Sequence, residues 1–296
     1  MSRRHLTFTC KGETLAGTLD DAPGKVGLLI VTGGNEIRAG AFSGQAKLAH
    51  HIAENGYPVF RFDRRGVGNS GGENGGYTSS QPDIAAAKAA FLAAAPQVEC
   101  IVAHGNCDAA TAVMAFSAVD ARIVSNSWVY GDGGEDTGAA PPAAAIRSRY
   151  AEKLKNPREV LRLLTGGVSL GKLFRGLLAA IKPRPASHCD EALRIAALVE
   201  SNTPPLTILL AGRDRTAQYF AANWDPADPR RKYCPDADLS FSSGPAQEWY
   251  FNQLLAALHE QARQLDMGRP AELADRTDFS EAVASLGERC AIPRPA

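Results

Sequence analysis

The residue type best suited to chemistry in this chain is the cysteine at the centre of the run Gly105-Asn106-Cys107-Asp108-Ala109. Small residues two positions before and after a nucleophile are typical of the sharp strand-to-helix turn called a nucleophile elbow, because strand and helix approach closely there. A cysteine thiolate attacks carbonyl carbon readily. The helix predicted to begin at Asp108 would place the positive end of its dipole near the sulfur and favour the thiolate. The alternative is that Cys107 is a small buried apolar residue, as free cysteine often is.

The loop Gly33-Gly34-Asn35-Glu36-Ile37-Arg38 follows the apolar run 26–31. Its first three residues are candidates for one half of an oxyanion hole. The other half would be the backbone N–H of Asp108, the residue after the candidate nucleophile. Glycines allow backbone amides to approach a developing negative charge. A simple tight turn is the alternative. The sequence contains neither a GxGxxG nor a Walker pattern, so we do not expect a nucleotide-binding loop.

Asp214 is the candidate acid, because it follows the apolar run 206–211 through a short turn. In hydrolases with a nucleophile elbow the chain order is nucleophile, acid and histidine, and Asp214 falls where the acid belongs. The alternative is an aspartate that only stabilises a turn.

A catalytic histidine is missing from the expected place, since residues 236–243 contain none. Three other histidines could substitute for it. His104 is predicted to point into the layers of the sheet and to be structural. His259 lies deep in the last predicted helix. Because about 20 residues of helix rise roughly 30 Å, we expect His259 to be too far from the site to substitute. His188 is in a segment that we predict to be mobile and could swing toward the site.

The elements that must position these residues alternate between strands and helices, which predicts a mostly parallel sheet covered by helices on both faces. The glycine-rich turn 63–70 is expected to be anchored by Asp63 and Arg65 as buried polar residues. The predicted strands are 5–10 and 14–19 (a hairpin), 26–31, 58–62, the strand before Cys107, 122–126 and 206–211, and the predicted core helices are 42–55, 83–94 and 245–264.

The chain divides into a first core part (1–129), a helical insertion (130–203), a second core part (204–265) and a C-terminal tail (266–296). Glycine and acidic residues at 131–142 indicate a loop within the insertion. Helical spacing is found at 147–164 and 170–181, and weakly in the tail at 280–288.

Composition excludes several classes of function. The formal net charge is zero over 296 residues, so no broad basic surface for nucleic acid is expected. No apolar run is long enough to span a bilayer, and the N-terminus lacks the apolar core of a signal peptide. The six cysteines have no CxxC pair and no zinc spacing, which favours reduced thiols in the cytoplasm and predicts neither metal nor cofactor.

Five segments carry a resemblance to one family: 28–40, 61–70, 105–110, 212–218 and 237–243. The chain resembles the exosortase A system-associated hydrolases of the first type, which are α/β-hydrolases of Gram-negative bacteria, over about residues 5–265. The resemblance implies an α/β-hydrolase fold with a helical lid, and a cysteine hydrolase linked to exopolysaccharide synthesis. Cys107 and Asp214 match its nucleophile and acid. Its histidine, in an Asp-His-Thr-Phe-Ser run, corresponds here to Leu239, which implies acylation without efficient release.

Two functions are therefore expected. The first is a hydrolase or acyl-transfer protein acting on a small ester or thioester with an apolar acyl or alkyl group, because the lid is rich in leucine. The second is a protein that lost its histidine and binds or carries an acyl ligand. The sequence is compatible with a homodimer and does not identify the oligomeric state.

Overall fold

The computed structural model describes residues 2–116, 118–127, 190–201 and 204–268. Eight strands make one sheet with the spatial order 1-2-4-3-5-6-7-8. The strands are β1 (Arg3–Cys10), β2 (Glu13–Asp20), β3 (Val26–Val31), β4 (Val59–Phe62), β5 (Cys100–Asn106), β6 (Ala121–Ser125), β7 (Leu206–Ala211) and β8 (Arg231–Cys234).

The sheet is parallel except at one edge. β1 and β2 form an antiparallel hairpin across Lys11 and Gly12, whose φ angles of 48° and 83° suit a tight two-residue turn. β2 is antiparallel to β4, and every pair from β4 to β8 is parallel. All six residues of β3 are buried, as expected for a central strand covered on both faces. The predicted mostly parallel sheet is confirmed.

Helices cover both faces of the sheet and enclose one apolar core on each side. On one face α1 and α6 pack on the sheet through residues such as Ile52 and Leu254. On the other face the core is formed with α2, α3, α4 and α5, through residues such as Phe91, Val113 and Phe220. The helices are α1 (Gly44–Glu54), α2 (Gln81–Ala94), α3 (Asp108–Met114), α4 (Asp190–Ser201), α5 (Arg215–Ala222) and α6 (Gly244–Asp266).

The start of α1 differs from the expectation that it begins at residue 42. Phe42 and Ser43 have φ angles of 50° and 60°, which an α-helix does not allow, and a 3₁₀ turn at Ala41–Ser43 precedes the helix. The predicted loop and helices at 131–181 and the predicted helix at 280–288 lie outside the described residues. Within the described ranges, no helix is both long enough and apolar enough to cross a bilayer.

Asp63 and Arg65 anchor the turn 63–70, as predicted, but only Asp63 is fully buried and the two do not pair with each other. Asp63 is completely buried, accepts from the Arg38 guanidinium, and also accepts the backbone N–H of Asn69 at 3.0 Å. Arg65 donates to Asp83 at 2.5 Å. The turn therefore lies fixed at the carboxyl end of β4, on the edge of the sheet where β5 delivers the candidate nucleophile.

Candidate active site

Cys107 forms the sharp turn between β5 and α3 that the sequence predicts. Its φ and ψ angles are 60° and −126°, a conformation that side-chain-bearing residues rarely adopt. Its N–H donates to the Ser125 carbonyl of β6 at 3.0 Å, which fixes the turn to the neighbouring strand. A Cβ atom on Gly105 would lie 2.6 Å from the Ala109 backbone, so only glycine fits there. The free thiol is half-buried.

The surroundings of the thiol oppose its ionisation. Burial and the negative charge of Asp108 raise the pKa of Cys107 to about 11, and the charges of Asp214 and Glu36 act in the same direction. A hydrogen bond from the Asp108 backbone N–H lowers the pKa, but this effect is smaller. The expectation that the helix start favours the thiolate is therefore wrong in its net result, because the carboxylates and burial outweigh the backbone.

The Asp108 carboxylate ties the glycine loop to the cysteine turn. Its Oδ1 accepts the Gly34 N–H at 2.5 Å, and its Oδ2 accepts from Arg64 at 3.0 Å. Arg64 also donates to the Gly34 carbonyl at 2.8 Å, and its side chain is 2% exposed. The Gly34 amide is thus engaged with a carboxylate in this structure rather than turned toward a ligand.

The other loop residues lie where the sequence predicts them. A Cβ atom on Gly33 would be 2.7 Å from the Asn106 carbonyl and 2.9 Å from the Asp108 carboxylate, so glycine is required for this approach. The Asn35 side chain accepts a hydrogen bond from Asn74 at 3.0 Å. The loop Gly33-Gly34-Asn35 therefore packs against the residues on either side of Cys107, and its role in holding an oxyanion stays a prediction.

Asp214 caps the N-terminus of α5. Its carboxylate accepts the Ala217 N–H at 2.7 Å. Burial raises the pKa of Asp214, and the charge of Asp238 raises it further. Hydrogen bonds from the backbone N–H groups of Ala217, Thr216 and Arg215 lower it, but their effect is smaller. Asp214 is close enough for its charge to act on the Cys107 thiol. The helix cap was not predicted, and the role of Asp214 as the acid of the site stays a prediction.

Leu239 lies beside the cysteine turn. Its carbonyl accepts hydrogen bonds from the side-chain amides of Asn106 at 3.0 Å and Asn126 at 3.2 Å. Its side chain is 36% exposed and has no ionisable group. Asn126 also accepts the Ala211 N–H at 2.9 Å and donates to Asn106 at 3.0 Å, so one buried amide joins β5, β7 and the segment of Leu239.

Sequence reasoning missed Asn126. The available signal was its place directly after β6, at the same edge of the sheet as the cysteine turn. Its φ angle of 50° is a conformation that asparagine tolerates better than most residues.

Of the three histidines considered as substitutes, His104 and His259 lie in the described residues and are engaged in contacts away from the thiol. His104 is completely buried, with Nδ1 2.8 Å from the Ile123 carbonyl and Nε2 2.5 Å from the Tyr250 hydroxyl. Burial lowers its pKa to about 4, so it is neutral and structural, as predicted. His259, which lies on α6, packs edge-on against Tyr57. His188 lies outside the described residues.

A cavity of about 500 Å³ opens beside the cysteine turn on the side of α1 and α6. Cys107 is not among its lining residues, but Asn106 is. Its walls combine carboxylates, amides and aromatic rings, including Glu36, Asn106, Asp238, Phe241, Tyr250 and Phe251.

Glu36 belongs to the candidate loop 33–38, but sequence reasoning gave it no role of its own. The carboxylate is half-buried and accepts the Ala41 N–H at 3.2 Å. Burial raises its pKa, and the charge of Asp108 adds to this effect. No group of three His, Cys, Asp or Glu side chains in the described residues could hold a metal ion.

No protein-family model matches the sequence, and no curated protein matches it significantly. Solved structures do match. An esterase of Pyrococcus furiosus has a TM-score of 0.56 and 16% identity, over 88% of this chain and 91% of that one. Est1E from Butyrivibrio proteoclasticus, with ferulic acid bound, has a TM-score of 0.55 and 16% identity, over 86% and 98%. The thioesterase domain from the curacin biosynthetic pathway has a TM-score of 0.53 and 13% identity, over 86% and 100%. Together with the strand order, these likenesses show that the chain has the α/β-hydrolase fold.

Proposed function

We propose that this protein hydrolyses a small ester or thioester through a covalent intermediate on Cys107. The observation that carries the proposal is the backbone of Cys107, which holds a half-buried thiol at a sharp bend between β5 and α3. Strain of this kind, at about 1–3 kcal/mol, persists where the surrounding structure enforces it and is concentrated at functional sites. The esterases and the thioesterase of similar fold support the reaction class.

The chemistry follows from a thiol that is protonated at neutral pH. Its proton must leave as sulfur attacks the carbonyl carbon, because a pKa of about 11 leaves little thiolate. The proton ends on the alcohol or thiol that departs when the ester or thioester bond breaks. The Asp108 backbone N–H, which already faces the sulfur, is the proposed oxyanion donor, with Gly33, Gly34 and Asn35 as the facing loop. Asp214 is the proposed acidic residue of the site, which orients the base. Leu239 stands in the position of a histidine and cannot transfer protons, so acylation is expected to be faster than release.

The proposal extends to the substrate and setting that the sequence resemblance implies. The substrate carries an apolar acyl or alkyl group, held under the helical insertion 130–203. The protein acts in the cytoplasm, without cofactor, metal or nucleic acid, in connection with exopolysaccharide and exosortase systems, as a monomer or a homodimer. The proposal divides the chain into four units, which are the core parts 1–129 and 204–265, the insertion 130–203 and the tail 266–296.

The test uses p-nitrophenyl esters and acyl thioesters of increasing chain length. Mass spectrometry is expected to find the acyl group on Cys107, and Cys107→Ala is expected to abolish both the adduct and product formation. Leu239→His should accelerate steady-state turnover, because it supplies an imidazole that can transfer protons at a position where leucine cannot. An unmodified Cys107, together with a Cys107→Ala variant as active as the natural chain, would contradict the proposal.

A second function, the binding of an acyl ligand without turnover, is favoured by one specific observation. Leu239 lies beside the cysteine turn without an ionisable group, and the thiol is neutral. This function predicts that a ligand copurifies with the protein, that the ester panel gives no turnover and that Leu239→His does not create any.

A further inference from the structure

The negative charges of three carboxylates raise the pKa of the Cys107 thiol. The three differ in the groups that donate hydrogen bonds to them. Asp108 accepts from Arg64 and from the Gly34 N–H. Asp214 caps α5. Glu36 accepts the Ala41 N–H at 3.2 Å and a hydrogen bond from Gln45, and it has no cationic partner in the part of the chain that the structure describes. Of the three, Glu36 is the carboxylate that lines the cavity.

Gln45 adds an independent observation. It lines the same cavity, and its side-chain Oε1 is buried without a hydrogen-bond partner among the described residues. A buried carbonyl oxygen without a donor destabilises the fold, so a site that keeps one is suited to receive a donor from solvent or ligand. A water molecule has two protons, and Glu36 and Gln45 offer one acceptor each.

We propose that Glu36 is the proton-transfer group of this site and activates the water that hydrolyses the acyl–Cys107 intermediate. This inference rests on the proposed function. The cavity is large enough to hold water beside Asn106, the residue before the nucleophile. A carboxyl group whose pKa lies above its ordinary value is better matched to proton transfer near neutral pH than an exposed one.

The step balances without a further reactant. The water oxygen attacks the acyl carbon while the Glu36 carboxylate accepts one of its protons, and Gln45 Oε1 accepts a hydrogen bond from the other. The tetrahedral intermediate then breaks the bond between carbon and sulfur. The sulfur leaves with the electron pair and takes the proton from Glu36, which restores the thiol and the carboxylate.

Other charged and titratable groups face Glu36 and will contribute to its pH dependence. The cavity walls carry Lys47 and His51 from α1, Asp238 from the loop before α6 and Tyr250 from α6, and the charge of Asp108 reaches Glu36 from α3. Substitution of Glu36 itself is therefore needed to separate its titration from theirs.

The experiment follows a single turnover. The natural chain, Glu36→Gln, Glu36→Asp and a control, Glu54→Gln, are acetylated with p-nitrophenyl acetate, and loss of the acetyl group from Cys107 is followed by mass spectrometry between pH 5 and pH 9. Glu54 is a good control because it is an exposed glutamate at the other end of α1. Thermal melting confirms that each variant is folded.

The expected result is that Glu36→Gln becomes acetylated but loses the acetyl group about 100-fold more slowly, as for removal of a general base. The rise of the natural rate with pH, as the Glu36 carboxyl loses its proton, should disappear in this variant. Glu36→Asp should recover part of the rate, and Glu54→Gln should match the natural chain.

Equal release rates in the natural chain and Glu36→Gln would overturn the role of Glu36 and leave the proposed function intact. If Glu36→Gln does not fold, a Glu36→Asp variant that matches the natural chain at every pH would overturn it instead. If the natural Cys107 is never acetylated, the proposed function fails, and the role of Glu36 fails with it.

Discussion

The side-chain amide of Asn106 donates a hydrogen bond of 3.0 Å to the carbonyl oxygen of Leu239. The residue before the candidate nucleophile thereby holds Leu239, although 133 positions of the chain separate them. Asn126 joins both through its own amide. The backbone of Leu239, where the sequence resemblance implies a histidine, is consequently fixed beside the cysteine turn.

This amide connection predicts a large loss of stability in Asn126→Ala. The substitution removes bonds to Asn106 and Leu239 and leaves the buried Ala211 N–H without its acceptor, which costs about 1–3 kcal/mol. Urea unfolding measures the change. Asn55→Ala, which removes one exposed hydrogen bond to the His51 carbonyl, is the matched control and should change the free energy of unfolding by less than about 0.5 kcal/mol. Equal losses in the two variants would contradict the prediction.

The pKa of the Cys107 thiol should fall in Asp108→Asn. After burial, the charge of Asp108 is the largest cause that raises this pKa to about 11, and the asparagine removes that charge while it keeps the backbone N–H. The measurement is the pH dependence of alkylation by iodoacetamide, followed at the Cys107 peptide. Glu99→Gln serves as the control, because it also removes one negative charge but at the opposite end of β5 from Cys107. An unchanged alkylation profile in Asp108→Asn would show that the charge of Asp108 does not raise this pKa.

The strained turn predicts that Cys107→Gly is more stable than Cys107→Ala by about 1 kcal/mol. Glycine adopts a φ of 60° and a ψ of −126° without the clash of a Cβ atom, and this gain exceeds its greater entropy in the unfolded chain. Neither variant should form an acyl adduct. Chemical denaturation of both proteins tests the strain separately from the chemistry, and a less stable glycine variant would show that the bend stores no strain.

The sequence predicted the features that depend on local patterns. The apolar run 26–31 is β3, and the small residues around Cys107 do form a sharp turn. Properties that depend on several segments were missed, such as the Asp108 carboxylate that occupies the Gly34 amide, and the buried Asn126. Strand β8 (Arg231–Cys234) was also missed, because a polar edge strand has no apolar run to mark it.

The helix boundaries were limited by backbone conformation. The segment from residue 42 has helical spacing, yet α1 begins only at Gly44, because Phe42 and Ser43 adopt positive φ angles beside the cavity. A separate role for Glu36 was also not predicted, because it depends on contacts between distant segments. Its burial and its lack of a cationic partner among the described residues arise only when α1, α3 and α6 come together.

The buried His104 predicts how stability changes with pH. Burial lowers its pKa to about 4, whereas an unfolded histidine titrates near 6.5. Between these values the unfolded chain binds more protons, so the contribution of His104 to the free energy of unfolding rises with pH, by up to about 3 kcal/mol from pH 4 to pH 6.5. Glu36 and Asp214 have raised pKa values and act in the opposite direction, so the natural chain alone does not isolate this effect.

The difference between the natural chain and His104→Asn isolates it. Asparagine does not titrate, and both proteins keep the same carboxylates, whose contributions cancel in the subtraction. We expect His104→Asn to be less stable at pH 7, because it loses the contact with the Tyr250 hydroxyl, and the gap to close as the pH falls toward 4. Urea unfolding at several pH values measures the gap, with the exposed His50→Asn as the control. A gap that stays constant from pH 7 to pH 4 would mean that His104 does not titrate in this window.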